Sequence, residues 1–150
     1  SDNAVTPNIV SYNAILDCCV ECDDIEMMKK IYEEIKAHAV NEETAPQPDL
    51  ITYSTVIKGY SRILNSDKVL DLYYYLKGRT DMEMDEVIYN SVLDGLLKSG
   101  KYENALKIHE DMIDNKVEEL LYDVKRNLID YMKDWGFKIG DRQIHSKKQT

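Results

Sequence analysis

Apolar residues recur at steps of three and four along most of this chain, which is the spacing of an amphipathic α-helix. The clearest example lies in residues 86–114, where two apolar stripes are separated by Lys98-Ser99-Gly100. The first stripe consists of Tyr89, Val92, Leu93, Leu96 and Leu97, and the second of Tyr102, Ala105, Leu106, Ile108 and Met112. The pattern predicts a helix, a tight turn and a second helix.

This two-helix pattern occurs three times. Three segments align on one apolar and tyrosine pattern, and their tyrosines, Tyr12, Tyr53 and Tyr89, lie 41 and 36 residues apart. A weaker fourth copy places Leu128 on Val92 and has no second half, so we expect a capping helix there. Two-helix units of this size bury their apolar faces by stacking on neighbours. The expected fold is therefore all-α, a solenoid of stacked helical hairpins.

The boundaries of the expected units follow from these copies. We predict repeats at about 8–49, 50–85 and 86–120, a capping helix at about 121–134, and a basic, flexible tail at 135–150. Asn8, Asp49 and Asp85 each precede an apolar run. They are predicted N-caps, because a short polar side chain at that place accepts hydrogen bonds from free backbone amides.

Charge is distributed unevenly along the chain. The net charge is −9, and because residues 133–150 carry +3, residues 1–132 carry −12. A body this acidic repels phosphate at long range unless one face is locally basic. The sequence holds no run of eighteen apolar residues and no signal-peptide pattern, so neither a membrane-spanning helix nor a targeting signal is expected. Cys18, Cys19 and Cys22 lie too close together for easy bridging, which favours free thiols in a reducing compartment.

The third copy carries the clearest family resemblance, over the run from Asp85 to Met112. It resembles the pentatricopeptide repeat, a helical motif in which each repeat recognises one RNA base. The resemblance covers Pro7 to about Tyr131, although the first copy has an insertion around residues 41–45. It implies a right-handed superhelix of helix-turn-helix repeats, similar to tetratricopeptide repeats, that binds single-stranded RNA.

The resemblance also implies which residues select the bases. In the family, the first helices line a concave groove, and the residue after the tyrosine acts with the polar residue at the end of the same repeat. Carried over to this sequence, the pairs are Asn13 with Asp49 and Ser54 with Asp85. By the pairing habits of the family, the first pair suggests uridine and the second suggests guanosine.

Asn90 begins a third pair whose partner the sequence leaves open. Leu120-Leu121 stand where the family has Asp or Asn, and Asp123 is the alternative if the loop shifts. The base preference of this repeat is therefore not predicted.

Apolar wedges and phosphate contacts complete the implied RNA site. Val10, Ile51 and Val87, each two residues before a tyrosine, are expected to slide between bases. Arg62 and Lys98 share one register further along the first helix and are expected to meet phosphates. Glu21 holds this register in the first copy, which weakens the pattern.

Simpler roles exist for several of these residues. Asp49 and Asp85 would serve as N-caps in any helical protein, and the tyrosines are better placed for the core than for stacking on bases. The three thiols lack a second Cys pair or paired histidines, so we expect no metal site. No catalytic constellation or Gly-rich phosphate loop is present in the sequence, and we expect neither an enzyme nor a cofactor.

The predicted function is therefore single-stranded RNA binding, within a longer protein that processes or stabilises RNA. A tetratricopeptide-like scaffold for protein partners is the alternative, and the acidic charge favours it. Family resemblance alone suggests a mitochondrial or other organellar location.

Overall fold

The computed structural model describes residues 7–114 and 121–134, except the side chains of 121–124. Within these ranges the chain forms helices and no strand. The helices are α1 (Ile9–Glu21), α2 (Ile25–Asn41), α3 (Leu50–Arg62), α4 (Ser66–Lys77), α5 (Glu86–Lys98), α6 (Tyr102–Asp114) and α7 (Leu121–Asp134). The expected all-α architecture is confirmed, and the expected tail at 135–150 lies outside the described residues. None of the helices in the described ranges combines the length and apolarity needed to cross a bilayer.

Side-chain caps start the first helix of each repeat. Asn8, Asp49 and Asp85 accept hydrogen bonds from the backbone amides three residues on, so the predicted N-caps are confirmed. Asp24 and Asn65 cap the second helices of the first two repeats in the same way. Each cap satisfies a backbone donor that would otherwise have no partner.

The turn inside each repeat uses one left-handed residue at a constant register. Asp23, Leu64 and Gly100 have φ values of 58°, 56° and 72°. In each turn the following amide donates back into the helix just ended, as from Lys101 to the Leu96 carbonyl at 2.8 Å. This bond is one of the two backbone hydrogen bonds that define a Schellman motif. Glycine adopts the left-handed conformation of that motif without steric cost. Two repeats form the motif with a non-glycine residue, so the motif does not require glycine here.

Stacking of the first helices forms the centre of the molecule. α3 packs between α1 and α5, α7 packs against α5, and each second helix packs on the first helix of its own repeat. The three anchor tyrosines, Tyr12, Tyr53 and Tyr89, are only 6%, 3% and 1% exposed. They belong to one core cluster, as the apolar spacing predicted, rather than to a platform for bases.

Close approach of the first helices depends on glycine. Gly59 of α3 lies against Met28 and Val20, and Gly95 of α5 lies against Ser61 and Val69. A β-carbon at either glycine would overlap the facing side chain. α1 holds Cys18 at this register, and its thiol is exposed.

Candidate nucleic-acid interface

Three aliphatic side chains are exposed at one register of the stacked first helices. Val10 is 72% exposed, Ile51 is 61% exposed and Val87 is 52% exposed. The residues that follow two positions later are the buried anchor tyrosines, so the helical periodicity turns the aliphatic side chains away from the core. Because α1, α3 and α5 pack side by side, these side chains share one surface. We call the surface formed by Val10, Asn13, Ile51, Ser54, Val87 and Asn90 the first-helix face.

The structure brings Asn13 and Asp49 together, 36 residues apart in sequence. The Asn13 side-chain amide donates to Asp49 Oδ1 at 3.0 Å, and the Thr52 hydroxyl donates to Asn13 Oδ1 at 2.6 Å. Thr52 also completes a capping box: its backbone amide donates to Asp49 Oδ1 at 3.0 Å, and its hydroxyl accepts from the Asp49 backbone amide at 3.1 Å. Asn13 is 7% exposed and Thr52 is fully buried. The network fixes the orientation of the Asn13 amide.

Hydrogen bonding also sets the charge state of Asp49. Partial burial of its carboxylate raises the pKa, but hydrogen bonds from the Thr52 amide and from Asn13 outweigh this effect and lower the pKa below its usual range. Asp49 therefore stays ionised at neutral pH and acts only as an acceptor. Sequence reasoning missed Thr52, although its place three residues after an N-cap was a signal for a capping box.

Ser54 and Asp85 are not joined in the same way. The Ser54 hydroxyl donates to the Ile51 carbonyl of its own helix at 3.0 Å, and Asp85 accepts from the Ile88 amide at 3.0 Å. No hydrogen bond connects the two side chains within the described residues. Asp85 is exposed and Ser54 is half-buried. Asn90 is also half-buried, and the side chain of its suggested partner, Asp123, lies outside the described residues.

Arg62 forms hydrogen bonds to the preceding repeat. Its guanidinium donates to the Val20 carbonyl at 2.8 Å, to Asp23 Oδ1 at 3.0 Å and to Glu21 Oε2 at 3.3 Å. Lys58 donates to the other oxygen of Glu21 at 2.6 Å, and Lys58 and Arg62 together lower the pKa of that carboxyl. The Arg62 side chain, 31% exposed, thus caps the end of α1 and ties α3 to it.

Lys98, at the equivalent position of α5, pairs within its own helix. Its ammonium lies 2.7 Å from Asp94 Oδ2, one turn away. Both cations predicted to meet phosphate therefore have carboxylate partners in this structure. Their contact with RNA stays a prediction, and any such contact must compete with these ion pairs.

Comparison with known families identifies the repeats. The sequence profile of the PPR repeat family matches residues 7–62, and that of the PPR repeat matches residues 51–79 and 87–117. The chain belongs to the pentatricopeptide-repeat family. The matched segments contain α1 to α6, so the three helical hairpins are three pentatricopeptide repeats, as the sequence resemblance suggested.

Proteins of Arabidopsis thaliana are among the relatives of this pentatricopeptide-repeat chain. Small ribosomal subunit protein mL103 of Arabidopsis thaliana is 26% identical over 119 residues, which are 75% of this chain and 26% of that protein. A mitochondrial pentatricopeptide repeat-containing protein of the same plant is 24% identical over 127 residues, covering 83% of this chain and 29% of the relative. The chain thus spans between about a quarter and a third of the length of these two relatives.

Solved structures show the same fold. The maize pentatricopeptide repeat protein PPR10 superposes with a TM-score of 0.67 at 22% identity, covering 91% of this chain and 21% of PPR10. PPR10 in complex with an 18-nucleotide RNA element gives a TM-score of 0.68, also at 22% identity, over 93% of this chain and 22% of PPR10. This similarity establishes a helical-repeat solenoid for the pentatricopeptide-repeat chain.

Thiols provide no metal centre in the described part of the pentatricopeptide-repeat chain. Cys18 and Cys22 are exposed, Cys19 is buried, and all three are free. No group of three or more His, Cys, Asp or Glu side chains in residues 7–114 and 121–134 is arranged to hold a metal ion.

Proposed function

We propose that the chain is a single-stranded RNA-binding module, with RNA lying along the first-helix face. The observation that carries this proposal is the exposure of Val10, Ile51 and Val87 at one register of three consecutive repeats. Exposed apolar surface that recurs on one face marks a binding surface. Aliphatic side chains spaced by the repeat suit insertion between successive bases, which single-stranded RNA presents unstacked.

The polar residues beside these wedges supply the base-selecting groups. Asn13 uses one amide N–H and one lone pair within the protein, so the edge of a base would have to reach the remaining N–H and lone pair of a side chain that is 7% exposed. Asp49 and Thr52 hold that amide in one orientation, so recognition by the first repeat requires little reorganisation. Ser54 and Asp85 would have to reorient on binding. The preferences proposed are uridine for the first repeat and guanosine for the second.

Affinity of this chain alone is expected to be modest. Stacking contributes about 1–3 kcal/mol per base, and association and ordering costs offset much of it over three repeats. The net charge of −9 and the paired state of Arg62 and Lys98 reduce phosphate attraction further. We therefore propose a Kd of roughly micromolar to millimolar for three repeats. The functional protein would be a longer array that binds rather than catalyses.

The relatives support this larger setting. PPR10, which has the same fold, was solved with a bound RNA element. Relatives of this chain are labelled mitochondrial or chloroplastic, and one is a small ribosomal subunit protein. We propose an organellar protein of RNA processing or stabilisation.

A binding titration tests the proposal. Short single-stranded RNAs containing U and G in the proposed order, and scrambled versions, are titrated at several salt concentrations. The triple variant Val10→Ala, Ile51→Ala, Val87→Ala should weaken binding of all RNAs, because it removes the wedges. The matched control is Val40→Ala, since Val40 is 85% exposed but lies on α2. Ser54→Asn should change base preference while leaving the affinity for the best RNA within a few-fold.

A protein-binding scaffold is the second candidate, and the ion pairs favour it. With Arg62 and Lys98 neutralised by carboxylates, neither is a free cation for phosphate. Equal and undetectable binding of matched and scrambled RNAs would remove the RNA proposal for this chain and favour the scaffold. Loss of binding in the control variant as well as in the triple variant would locate the RNA elsewhere.

A further inference from the structure

A cavity opens between α2 and α4, on the second helices rather than on the first-helix face. Its volume is about 480 Å³, and four tyrosines line it: Tyr32 from α2, Tyr53 and Tyr60 from α3, and Tyr75 from α4. We call it the tyrosine cavity. None of the residues proposed to contact RNA lines it.

Departures from the repeat pattern converge on this cavity. Tyr60 and Tyr75 belong to the second repeat alone, since the equivalent positions of the other repeats hold Cys19 and Leu96, and Glu34 and Asp111. The first repeat contributes through its insertion. α2 has 17 residues where α4 and α6 have 12 and 13, and its extended end and the following loop supply Val40, Gln47 and Pro48 to the lining. The stacking of repeats requires only the residues that the repeats share, so it does not account for the residues that line this cavity.

Packed tyrosine rings form one wall of the tyrosine cavity. Tyr53 packs against Tyr32 at a ring-centroid distance of 6.4 Å and against Tyr75 at 5.9 Å. Burial, together with hydrogen bonding to Tyr75, raises the pKa of Tyr53 to about 12, so its phenol stays neutral. At the mouth, Tyr75 is 53% exposed and Val40 is 85% exposed. Such a wall accepts a bulky apolar side chain.

The charged side chains of the lining are three cations, Lys36, Lys68 and Arg79, and two carboxylates, Glu33 and Asp71. The Tyr32 and Tyr60 hydroxyls and the Lys68 ammonium form no hydrogen bond or ion pair with any described residue. Lys36 is already paired with Glu33 at 2.7 Å, and Arg79 with Asp81 at 2.6 Å. Asp71 is the lining carboxylate without an ion pair in the described ranges. The two hydroxyls and the Lys68 ammonium can therefore donate hydrogen bonds to a ligand rich in acceptors, such as main-chain carbonyls and a carboxylate.

The ring geometry favours a peptide over a nucleotide. Tyr32 and Tyr53 are only 7% and 3% exposed, so their rings offer no platform on which a base can stack. The Tyr75 ring is 53% exposed, but the Arg79 guanidinium lies over one of its faces, 5.7 Å from the ring centroid. A peptide needs only one side chain to enter and can present its carbonyls to the phenol hydroxyls. A carboxylate beside that side chain matches Lys68 in charge.

We propose that the tyrosine cavity binds a peptide segment of a partner protein, which inserts one bulky apolar side chain and pairs a neighbouring carboxylate with Lys68. This site is separate from the RNA surface and does not depend on it. One chain would then bind RNA on its first helices and a protein on its second helices.

Chemical-shift mapping on the ¹⁵N-labelled 150-residue chain tests the proposal. The probes are synthetic eight-residue Gly/Ser peptides with Phe-Asp, Ala-Asp or Phe-Lys at the centre. The Phe-Asp peptide should shift amides near Tyr60, Lys68 and Tyr75 and leave those of Val10, Ile51 and Val87 unchanged. Its Kd is expected on the order of 1 mM, with the Phe-Lys peptide several-fold weaker and the Ala-Asp peptide undetectable.

Paired variants separate a site from a general surface effect. Tyr75→Ala should abolish the Phe-Asp shifts, whereas Tyr74→Ala, at a neighbouring tyrosine that is 44% exposed, should retain them. Lys68→Glu should reverse the preference between Phe-Asp and Phe-Lys. No shift with any of the peptides, equal shifts in the Tyr75 and Tyr74 variants, or the same amides shifting instead with a single-stranded RNA would each overturn the proposal.

Discussion

The two junctions between repeats have the same helix packing but different chemistry. Where α1 meets α3, Asn13, Asp49 and Thr52 form a buried polar network, and Arg62 crosses to the end of α1. Where α3 meets α5, the position of Thr52 is taken by buried Ile88, and Lys98 pairs within its own helix. The packing of one repeat on the next therefore depends on the spacing of the apolar residues and not on these polar contacts. The polar residues that the family uses to recognise bases are joined to each other at the first junction and bonded only to backbone groups of their own repeat or helix at the second.

This difference also separates two roles of the same residue type. Asp49 caps α3 and orients Asn13, whereas Asp85 caps α5 and has no hydrogen bond to Ser54 among the described residues. A cap needs only a backbone amide of its own helix. A contact that orients another side chain also needs a partner on the neighbouring helix. Substitutions at matched positions can therefore measure how much each junction depends on its polar contacts.

The largest effect is expected at the two caps. Asp49→Ala removes a cap and leaves the buried Asn13 amide N–H without its acceptor, so it should lower the free energy of unfolding by about 2–4 kcal/mol. Asp85→Ala removes only a cap and should cost about 1 kcal/mol. Urea denaturation followed by circular dichroism measures both. Equal losses would mean that the network adds nothing to the cap.

The second-largest effect is expected at the glycines of the two junctions, where replacement by alanine should change the free energy of unfolding by different amounts. Alanine favours a helix over glycine by about 1 kcal/mol, but overpacking costs about 1–3 kcal/mol. Gly95→Ala meets the short Ser61 side chain, close to its backbone, and should destabilise the fold by roughly 1–2 kcal/mol.

Gly59→Ala meets mainly the end of the flexible Met28 side chain, so gain and loss should nearly cancel. Thermal denaturation of both variants checks this order. A larger loss at Gly59 would show that Met28 is held rigidly. Cys18→Ala, on the exposed surface of α1, is the control and should change little.

Acid titration sharpens the comparison at the first junction. The pKa of Asp49 lies below its ordinary value of 3.8, because its hydrogen bonds outweigh its burial. A depressed carboxyl pKa stabilises the folded state above the pKa of the unfolded chain, and this contribution is lost as pH falls from 3.8 through the folded value. Asp49→Asn, which keeps a capping side chain, should therefore show a shallower fall in unfolding free energy below pH 4 than the parent chain. An unchanged slope would contradict the assignment.

The smallest effect is expected from the two cations. Arg62→Met removes the donors to Val20, Glu21 and Asp23, so it should lower the thermal midpoint more than Lys98→Met, which breaks one exposed pair. Because part of the Arg62 contribution is an ion pair, the difference should shrink at high salt. A larger loss for Lys98→Met would reverse the contrast between the junctions.

Much of the fold was predictable from the sequence, because its signals are short-range. The apolar steps around Tyr89 placed α5 and α6, and Asn8, Asp49 and Asp85 marked helix starts that the structure confirms. The pairing of Asn13 with Asp49 was suggested by family resemblance, and the structure places them in contact. Thr52 was missed, since its hydroxyl matters only when α1 supplies Asn13.

The electrostatic surroundings of the proposed site could not be predicted in the same way. Arg62 and Lys98 share one register, yet the first donates to the preceding repeat and the second to its own helix. The carboxylate partners of Arg62, Glu21 and Asp23, lie about 40 positions away in the sequence. The position of a cation within its repeat does not reveal which carboxylate it will pair with.

The sequence by itself determined the helices, their caps, the repeat register and the face that carries Val10, Ile51 and Val87. These features depend on neighbours within about one helical turn or on periodicity that stacking must respect. Tertiary structure alone decided that Asn13 is held by Thr52, that Arg62 is paired, and that an insertion and two unmatched tyrosines enclose a cavity. The physical reason is that such contacts join residues brought close only when one hairpin settles against the next.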